Sequence, residues 1–557
     1  VTVVVEAAPP VPASASQFTG TRRLVRLALR RDRIQLSVWV ISIVSFMLLV
    51  VASVTGLYST PEELRNIAVS SAVSPVALAT NGIVSGDSQG AIVASQSVLV
   101  FALVAALMST LAVVRHTRQN EETGRAEMIG AAVVGRRALL TSALIVTVGA
   151  NVVLALGIAL GSIAVGLPVV GSFALGASIG GTGIAFAGVA AVTAQITDGA
   201  RTANGLAGAA IGVAFMLRAI GDVNSTVVDD GTRVVSGWLS WLSPIGWAQQ
   251  IRPFDDDAWW ILLLLIGFAA VHVVVAFVLI GHRDQGAGLV QPRPGPPVAA
   301  SWLPSAWGLA WRMQRMTMFW WIFAVVILGF AYGAVGNEID AMVGSSQQTA
   351  EMFEKLGGGG GSDLVDSYLA TALGLTSIVI AAYSVQSLLR MRGEETSGRL
   401  EPLLATSLSR WRWMLSHLGV VVGGVILAHV LMGAFTGFAF GLVTDDIGGN
   451  TLRMTGAALA YLPAVLVVVG LVSLAFGLFP TYASALSWGI LAACIVLGQL
   501  GTLLKLPQVV LDLSPYTHVP GAPAEPVTVL PLLAMIVVAV VLSTASLVAF
   551  RRRDLQV

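Results

Sequence analysis

The residues best suited to specific interactions are two short charged segments, Glu121-Glu122-Thr123-Gly124-Arg125-Ala126-Glu127 and Glu394-Glu395-Thr396-Ser397-Gly398-Arg399-Leu400-Glu401. On a helix Glu121 and Arg125 stand at i,i+4, as do Glu395 and Arg399, with the acid N-terminal to the base, the favourable order for an ion pair. A single such segment reads as a solvated loop held by its own charges. Two copies, apart by one inserted residue and each set between long apolar stretches, point instead to a docking surface for a cytoplasmic partner, because exposed loops drift in sequence more readily than the elements they join. A second pair of segments carries Arg30 and Arg33, and Arg312 and Arg315. Around the first pair, Leu24, Leu27 and Ile34 alternate with cations as in an interfacial amphipathic helix, whose role is topology and headgroup contact or a mechanical one.

Other chemistries find no residues to carry them. The six histidines show no metal spacing, and no Ser/His/Asp or Cys/His set assembles from loops on one side, so no catalytic or metal site is expected. A nucleotide cradle needs Gly-x-x-x-x-Gly-Lys-[Ser/Thr]. The two lysines, Lys355 and Lys505, stand in no such context, and the Gly357–Gly361 run reads as a flexible connector. Cys494 is the one cysteine, which excludes an internal disulfide. Near-neutral net charge of +1 gives no reason to propose nucleic acid as a partner. Carboxylates inside apolar spans would mark proton relays, and the predicted spans contain none. Gln96, Asn151, Gln386, His429 and Gln499 are the candidate pathway residues, with His272 beside them, although polar groups of this kind more often join helix to helix. Arg218, near the end of a span, is expected to snorkel to the interface.

These residues are positioned by membrane-spanning helices. The chain of 557 residues is 56% hydrophobic and 11% charged, against roughly 25% charged in soluble domains, and its mean hydropathy is +0.83. Stretches of about 20 apolar residues, the length that crosses a bilayer, recur at 37–56, 91–114, 138–165, 172–194, 203–220, 259–281, 316–336, 367–389, 415–441, 454–477, 483–503 and 529–550. The fold class is therefore an all-α polytopic membrane protein of about twelve spans. Arginines crowd alternate loops (Arg22 to Arg33, Arg115 to Arg137, Arg283 to Arg315, Arg390 to Arg412, Arg551 to Arg553), whereas the intervening loops are acidic. Under the positive-inside rule the basic side is cytoplasmic, with both termini on it, in a plasma (inner) membrane. The expected organisation is a disordered leader over 1–17, a first half over 18–285, a Pro/Gly cytoplasmic linker over 286–300 and a second half over 301–557.

The halves are copies. Leu27-Ala28-x-Arg30-x-x-Arg33 matches Leu309-Ala310-x-Arg312-x-x-Arg315, the two Glu-Glu-Thr segments match, Leu242-Ser243-Pro244 matches Leu513-Ser514-Pro515, and Arg283-Asp284 matches Arg553-Asp554. Four landmarks in one order argue for duplication of a six-span unit. Six being even, the copies enter the membrane in the same direction, which places a pseudo-two-fold axis along its normal.

Together with Ala194-Gln195-Ile196, Arg201-Thr202-Ala203-Asn204-Gly205, Leu217 to Asp222 and Trp241 to Gln250, the charged segments give the chain a resemblance to permease subunits of ABC-2 type exporters. The fused two-half actinobacterial permeases assigned to polyketide-antibiotic or multidrug export, tetronasin-type, are the nearest in kind. The resemblance implies that Glu121, Glu122, Gly124, Arg125 and Glu127, with Glu394, Glu395, Gly398, Arg399 and Glu401, form coupling helices. It implies that Arg30, Arg33, Arg312 and Arg315 belong to elbow helices. It also implies two copies of a separate cytoplasmic ABC ATP-binding subunit that bind ATP and Mg, no cofactor in this chain, and a small hydrophobic or amphipathic cargo. An ion-coupled secondary carrier with two six-helix halves has the same span count and symmetry, while a membrane-embedded enzyme lacks any set of acids, bases or metal ligands.

Overall fold

A computed structural model describes residues 16–58, 60–284, 286–290, 295–336, 364–500 and 507–555. Most of the predicted leader, the Gln291 to Pro294 part of the linker, Lys355 with the glycine run beside it, and Lys505 lie outside the described residues. Among those described, twelve helices are long and apolar enough to cross a membrane. The protein is an all-α polytopic membrane protein, as hydropathy dictates, since in lipid only a helix satisfies every backbone group within its own segment.

The chain separates into two compact units, Val1–Pro294 and Gly295–Val557. In the first, α1 (Thr21–Leu57) is the opening span, and α2 (Pro61–Val73) and α3 (Pro75–Thr80) follow it. The Thr60–Glu63 capping box starts α2. Next come α4 (Gln89–His116), the short α5 (Arg118–Glu122) and α6 (Arg125–Gly130), then α7 (Ala138–Val165), α8 (Val169–Ile196) and α9 (Ala200–Val223). A short hairpin of three paired residues, β1 (Thr226–Val228) with β2 (Arg233–Val235), precedes α10 (Pro244–Gln250) and the last span, α11 (Trp260–Gly281).

The second unit opens with α12 (Ala306–Val335) and α13 (Leu364–Thr396), followed by the short α14 (Leu400–Leu404) and α15 (Arg410–Thr444). The tenth span is two helices, α16 (Ile447–Ala460) and α17 (Leu462–Leu478), because Pro463 in the first turn of the latter cannot extend the preceding ladder. It ends with α18 (Ala483–Ile495), α19 (Gln508–Leu511) and α20 (Val529–Arg552).

Within each unit the neighbours repeat. The first span of the six packs on the third, the third on the fourth, the second on the fourth, and the fourth on the sixth. The fourth span is accordingly central. In the first unit α8 is buried along most of its length and rich in Gly, Ala, Ser and Thr, the small residues that let helix backbones approach where lipid offers no hydrophobic drive. The outer spans α1, α11, α12 and α20 keep exposed faces of Ile, Leu, Val and Phe, as lipid contact requires.

The helices outrun the apolar windows that predicted them, and that changes two expectations. The arginine-rich segments before the first and seventh spans are not separate interfacial helices. Arg30 and Arg33 sit on the opening turns of an uninterrupted α1, and Arg312 and Arg315 on those of α12, all four exposed. The longer helices also contain carboxylates, Asp32 in α1 and Asp222 in α9, both buried, where the shorter predicted spans had none.

Candidate functional site

The two charged segments lie at the basic side of their units, and in each the chain breaks the helix at a glycine. Gly124 has φ +70° and Gly398 φ +69°, a left-handed conformation that costs a residue with a Cβ roughly 1–2 kcal/mol. This break abolishes the predicted i,i+4 pairs: Glu121 does not meet Arg125, nor Glu395 Arg399. Arg399 pairs instead with Glu394 at 3.2 Å, and Arg125 forms no ion pair among the described residues. Glu127 and Glu401 are exposed on the first turns of α6 and α14.

The glutamates bind arginines from far along the chain. Glu121 is gripped by Arg283, Nη2 to Oε1 at 2.6 Å and Nη1 to Oε2 at 2.8 Å, with Arg118 donating to Oε2 at 2.8 Å. Glu395 is gripped in the same way by Arg553, at 2.6 and 2.8 Å, with Arg392 at 3.7 Å. Both carboxylates are buried, Glu121 being 7% and Glu395 2% exposed at the side chain. Bidentate guanidinium–carboxylate pairing is the strongest form such a contact takes. One further arginine closes each site: Arg136 donates to the main-chain carbonyl of Arg283, and Arg410 to that of Arg553 at 2.6 Å.

The geometry corrects the register of the repeat. Arg118, Glu121, Gly124, Arg125, Glu127 and Arg136 correspond to Arg392, Glu395, Gly398, Arg399, Glu401 and Arg410 without an insertion, so Glu121 matches Glu395 rather than Glu394. Two landmarks that looked independent in sequence, the Glu-Glu-Thr segment and the Arg-Asp pair, are the two sides of one ion pair. A third also recurs as a contact. Ser243 of Leu-Ser-Pro donates to the Ala214 carbonyl at 2.7 Å, and Ser514 to that of Cys494 at 3.3 Å, each reaching back to the fifth span of its unit. Sequence reading missed Arg118, Arg136, Arg283, Arg392, Arg410 and Arg553 as site residues, although their constant spacing between the copies was a usable signal.

The copies differ in what surrounds the pair. In the first unit Arg118 is fully buried and donates to the Ala194 carbonyl from Nε at 2.9 Å and Nη2 at 2.6 Å, while Arg283 Nε donates to Gln195 Oε1 at 2.8 Å. Both arginines also reach the Ala287 carbonyl, and Leu289 and Val290 donate their N–H groups to Gln195 and Ile196 carbonyls, which ties the start of the linker to the end of α8. Glu122 accepts from the Ala200 N–H at 3.0 Å and so caps α9, a favourable place for an anion. In the second unit Arg553 lies 5.0 Å from the ring centroids of both Phe476 and Phe550. There Thr396 replaces Glu122, and Pro480, which has no N–H to offer, opens the corresponding span.

Three of the remaining candidates, Asn151, Gln386 and His429, make helix-to-helix contacts. Asn151 donates to Ser109 at 2.8 Å and lies so close to Gly183 that a Cβ there would meet its Oδ1 at 1.8 Å. His429 Nδ1 donates to the Val425 carbonyl at 2.9 Å, and its Nε2 lies 3.2 Å from the Ser377 hydroxyl. Gln386 accepts from the Trp321 indole, Gln96 is half-buried, and the side chain of Gln499 is outside what the structure describes. Arg218 does not snorkel. It is fully buried and donates to the Leu78 carbonyl at 2.9 Å, to the Ala79 carbonyl, and to Asp222 at 3.3 Å, whose other contacts are Ser236 and Gln249 at 2.7 and 2.6 Å. Asp32 is held by His116 at 2.6 Å and Arg115 at 3.3 Å. At the place of Asp32 the second unit has Gln314, which faces His417 at 2.9 Å.

Among the described residues no cluster of His, Cys, Asp and Glu could hold a metal ion. What the basic side does hold in each unit is a buried ion pair joined to the end of the last span, with a short helix beyond it.

The family model for the multidrug efflux system permease Rv1217c, C-terminal domain, matches residues 22–280 and 303–551. The multidrug efflux system permease protein Rv1217c of Mycobacterium tuberculosis (strain ATCC 25618 / H37Rv) is 38% identical over 548 residues, 98% of this chain and 97% of that protein. By both matches this chain belongs to the family of the multidrug efflux system permease Rv1217c.

Proposed function

We propose that the chain is the membrane permease of an ATP-driven exporter of the ABC-2 type, carrying a hydrophobic or amphipathic compound such as a drug out of the cell. In this reading the chain itself is not an enzyme and holds no cofactor. ATP and Mg are bound by two copies of a separate cytoplasmic subunit, one seated on each of the α5–α6 and α13–α14 segments. The observation that carries it is the duplicated latch, Glu121–Arg283 and Glu395–Arg553. A load applied to either short helix passes through a buried bidentate ion pair to the end of the sixth or twelfth span, as coupling ATP binding to span movement requires. The relative's designation as a multidrug efflux permease supports drug as the cargo. The basic side is cytoplasmic in this reading, in accord with the arginine bias. Purified alone, the chain hydrolyses no ATP; copurified with an ATPase subunit, the complex hydrolyses ATP faster in the presence of a hydrophobic drug. Robust hydrolysis by the chain alone would overturn the assignment.

Asp32 and Asp222, buried carboxylates within membrane helices, favour a second reading, an ion-coupled carrier. Each is already engaged by cations and hydrogen-bond donors, as structural ion pairs are. Transport dissipated by a protonophore at constant ATP would favour the carrier.

A further inference from the structure

A cavity of about 380 Å³ opens at the basic side of the first unit, between the early turns of α1, the α5–α6 segment and the start of α7. Leu24, Leu27, Ile129 and Leu139 give it apolar walls, and Arg31 and Arg125 line it with charge. The local charges do not balance. Asp32, the carboxylate nearest to hand, is buried and consumed by His116 and Arg115. Arg31 donates only to the neutral amide of Asn120, at 2.7 Å, and Arg125 has no hydrogen bond or ion pair among the described residues. Two guanidinium groups without a carboxylate, over an apolar floor, match a phosphate with hydrocarbon attached, because the guanidinium fork fits phosphate oxygens and is weakly hydrated. The depth fits as well: α1 passes here from its arginines to the exposed apolar residues Leu27, Ile34 and Val38, the lipid-facing stripe along which acyl chains would lie.

We propose that this cavity binds the phosphate of one anionic phospholipid. The site belongs to the first unit alone. At the positions of Arg31 and Asn120 the second unit has Met313 and Glu394, and Glu394 neutralises Arg399 at 3.2 Å. One lipid per chain follows. Because Arg125 opens α6, the lipid would brace one docking segment and leave the other bare. The inference requires only that the chain lives in a membrane, and it holds whichever energy source drives transport.

The test is native mass spectrometry of the full chain in micelles titrated with phosphatidylglycerol. One lipid should be retained per chain, and phosphatidylcholine should not replace it. The double variant Arg31→Gln with Arg125→Gln should bind about 30-fold more weakly, at the usual worth of each basic residue toward an anionic lipid. Arg22→Gln with Arg23→Gln, on the same helix but outside the cavity, should bind normally, and Arg31→Lys with Arg125→Lys should recover most of the affinity. Leu27→Glu, at an exposed position of α1, sets a carboxylate beside the arginines and should weaken binding, a second measurement if the glutamine variant fails to fold. Equal loss in the two arginine pairs, two lipids retained per chain, or full displacement by millimolar inorganic phosphate would overturn the proposal.

Discussion

Removing one partner of a buried ion pair strands the other charge, and this costs roughly 3–5 kcal/mol, more than the pair itself contributes. Glu395→Ala and Arg553→Ala should therefore each lower the stability of the chain in detergent by about 3 kcal/mol or more, measured by thermal unfolding. Replacing both by apolar residues of similar size should recover a good part of that loss; additive losses would show that the two residues act independently. The glutamates were legible in sequence as a repeated, charged segment, but their partners were not. Arg283 lies 162 positions from Glu121, and a landmark fixes where a residue falls along the chain, not what it meets in space. Local spacing suggested Arg125 instead, a pairing that requires an unbroken helix and is undone by the left-handed Gly124. The buried Arg218 was misread for a related reason: a single arginine near a span end looks free until the Leu78 carbonyl of α3, 140 residues away, is seen to accept from it.

Among elements, the break between α5 and α6 separates a partly buried helix from a largely exposed one. Arg118 and Asn120 of α5 are buried, whereas α6 is buried only at Ala126. Nothing lies within 4 Å of a Cβ built on Gly124 or Gly398, so alanine there would test backbone strain without steric clash. Gly124→Ala and Gly398→Ala should each cost about 1 kcal/mol and lower drug efflux from cells with little change in protein level. Normal efflux in both would mean that the bend is dispensable. The Glu122 cap makes a contrasting prediction. Glu122→Ala should destabilise the start of α9 by about 0.5 kcal/mol, typical of an anion at a helix N-terminus, and speed amide exchange there. Thr396→Ala should leave the eleventh span unchanged, and an equal effect in the two units would refute the asymmetry. The sequence does hint at this difference, because Pro480 stands where Ala200 offers its N–H, but only the hydrogen bond reveals what proline forfeits. The arginine-bearing segments before the first and seventh spans read as amphipathic because their cations interrupt the apolar period. They are nonetheless continuous helix, since no glycine or proline stops α1 between Thr21 and Leu57 except Gly56 in its last turn.

For the molecule as a whole, hydropathy was enough to count twelve spans, because a bilayer imposes a length and an apolarity that few other structures share. It was not enough to set their ends. Helices continue past the apolar window wherever buried partners wait, as they do for Asp32 and Asp222, and these are the residues that hydropathy hides. Duplication was also legible, and one buried ion pair recurs in each unit with different surroundings; the proposed function gives this recurrence a mechanical meaning, as two matched seats for a pair of identical subunits. The most direct test of that account is drug uptake into inside-out proteoliposomes holding the chain together with its ATPase subunit, with ATP and a proton gradient supplied separately. Uptake that requires MgATP, persists with a protonophore and falls in the Glu121→Ala, Glu395→Ala variant is the predicted result; uptake driven by the proton gradient without ATP would contradict it.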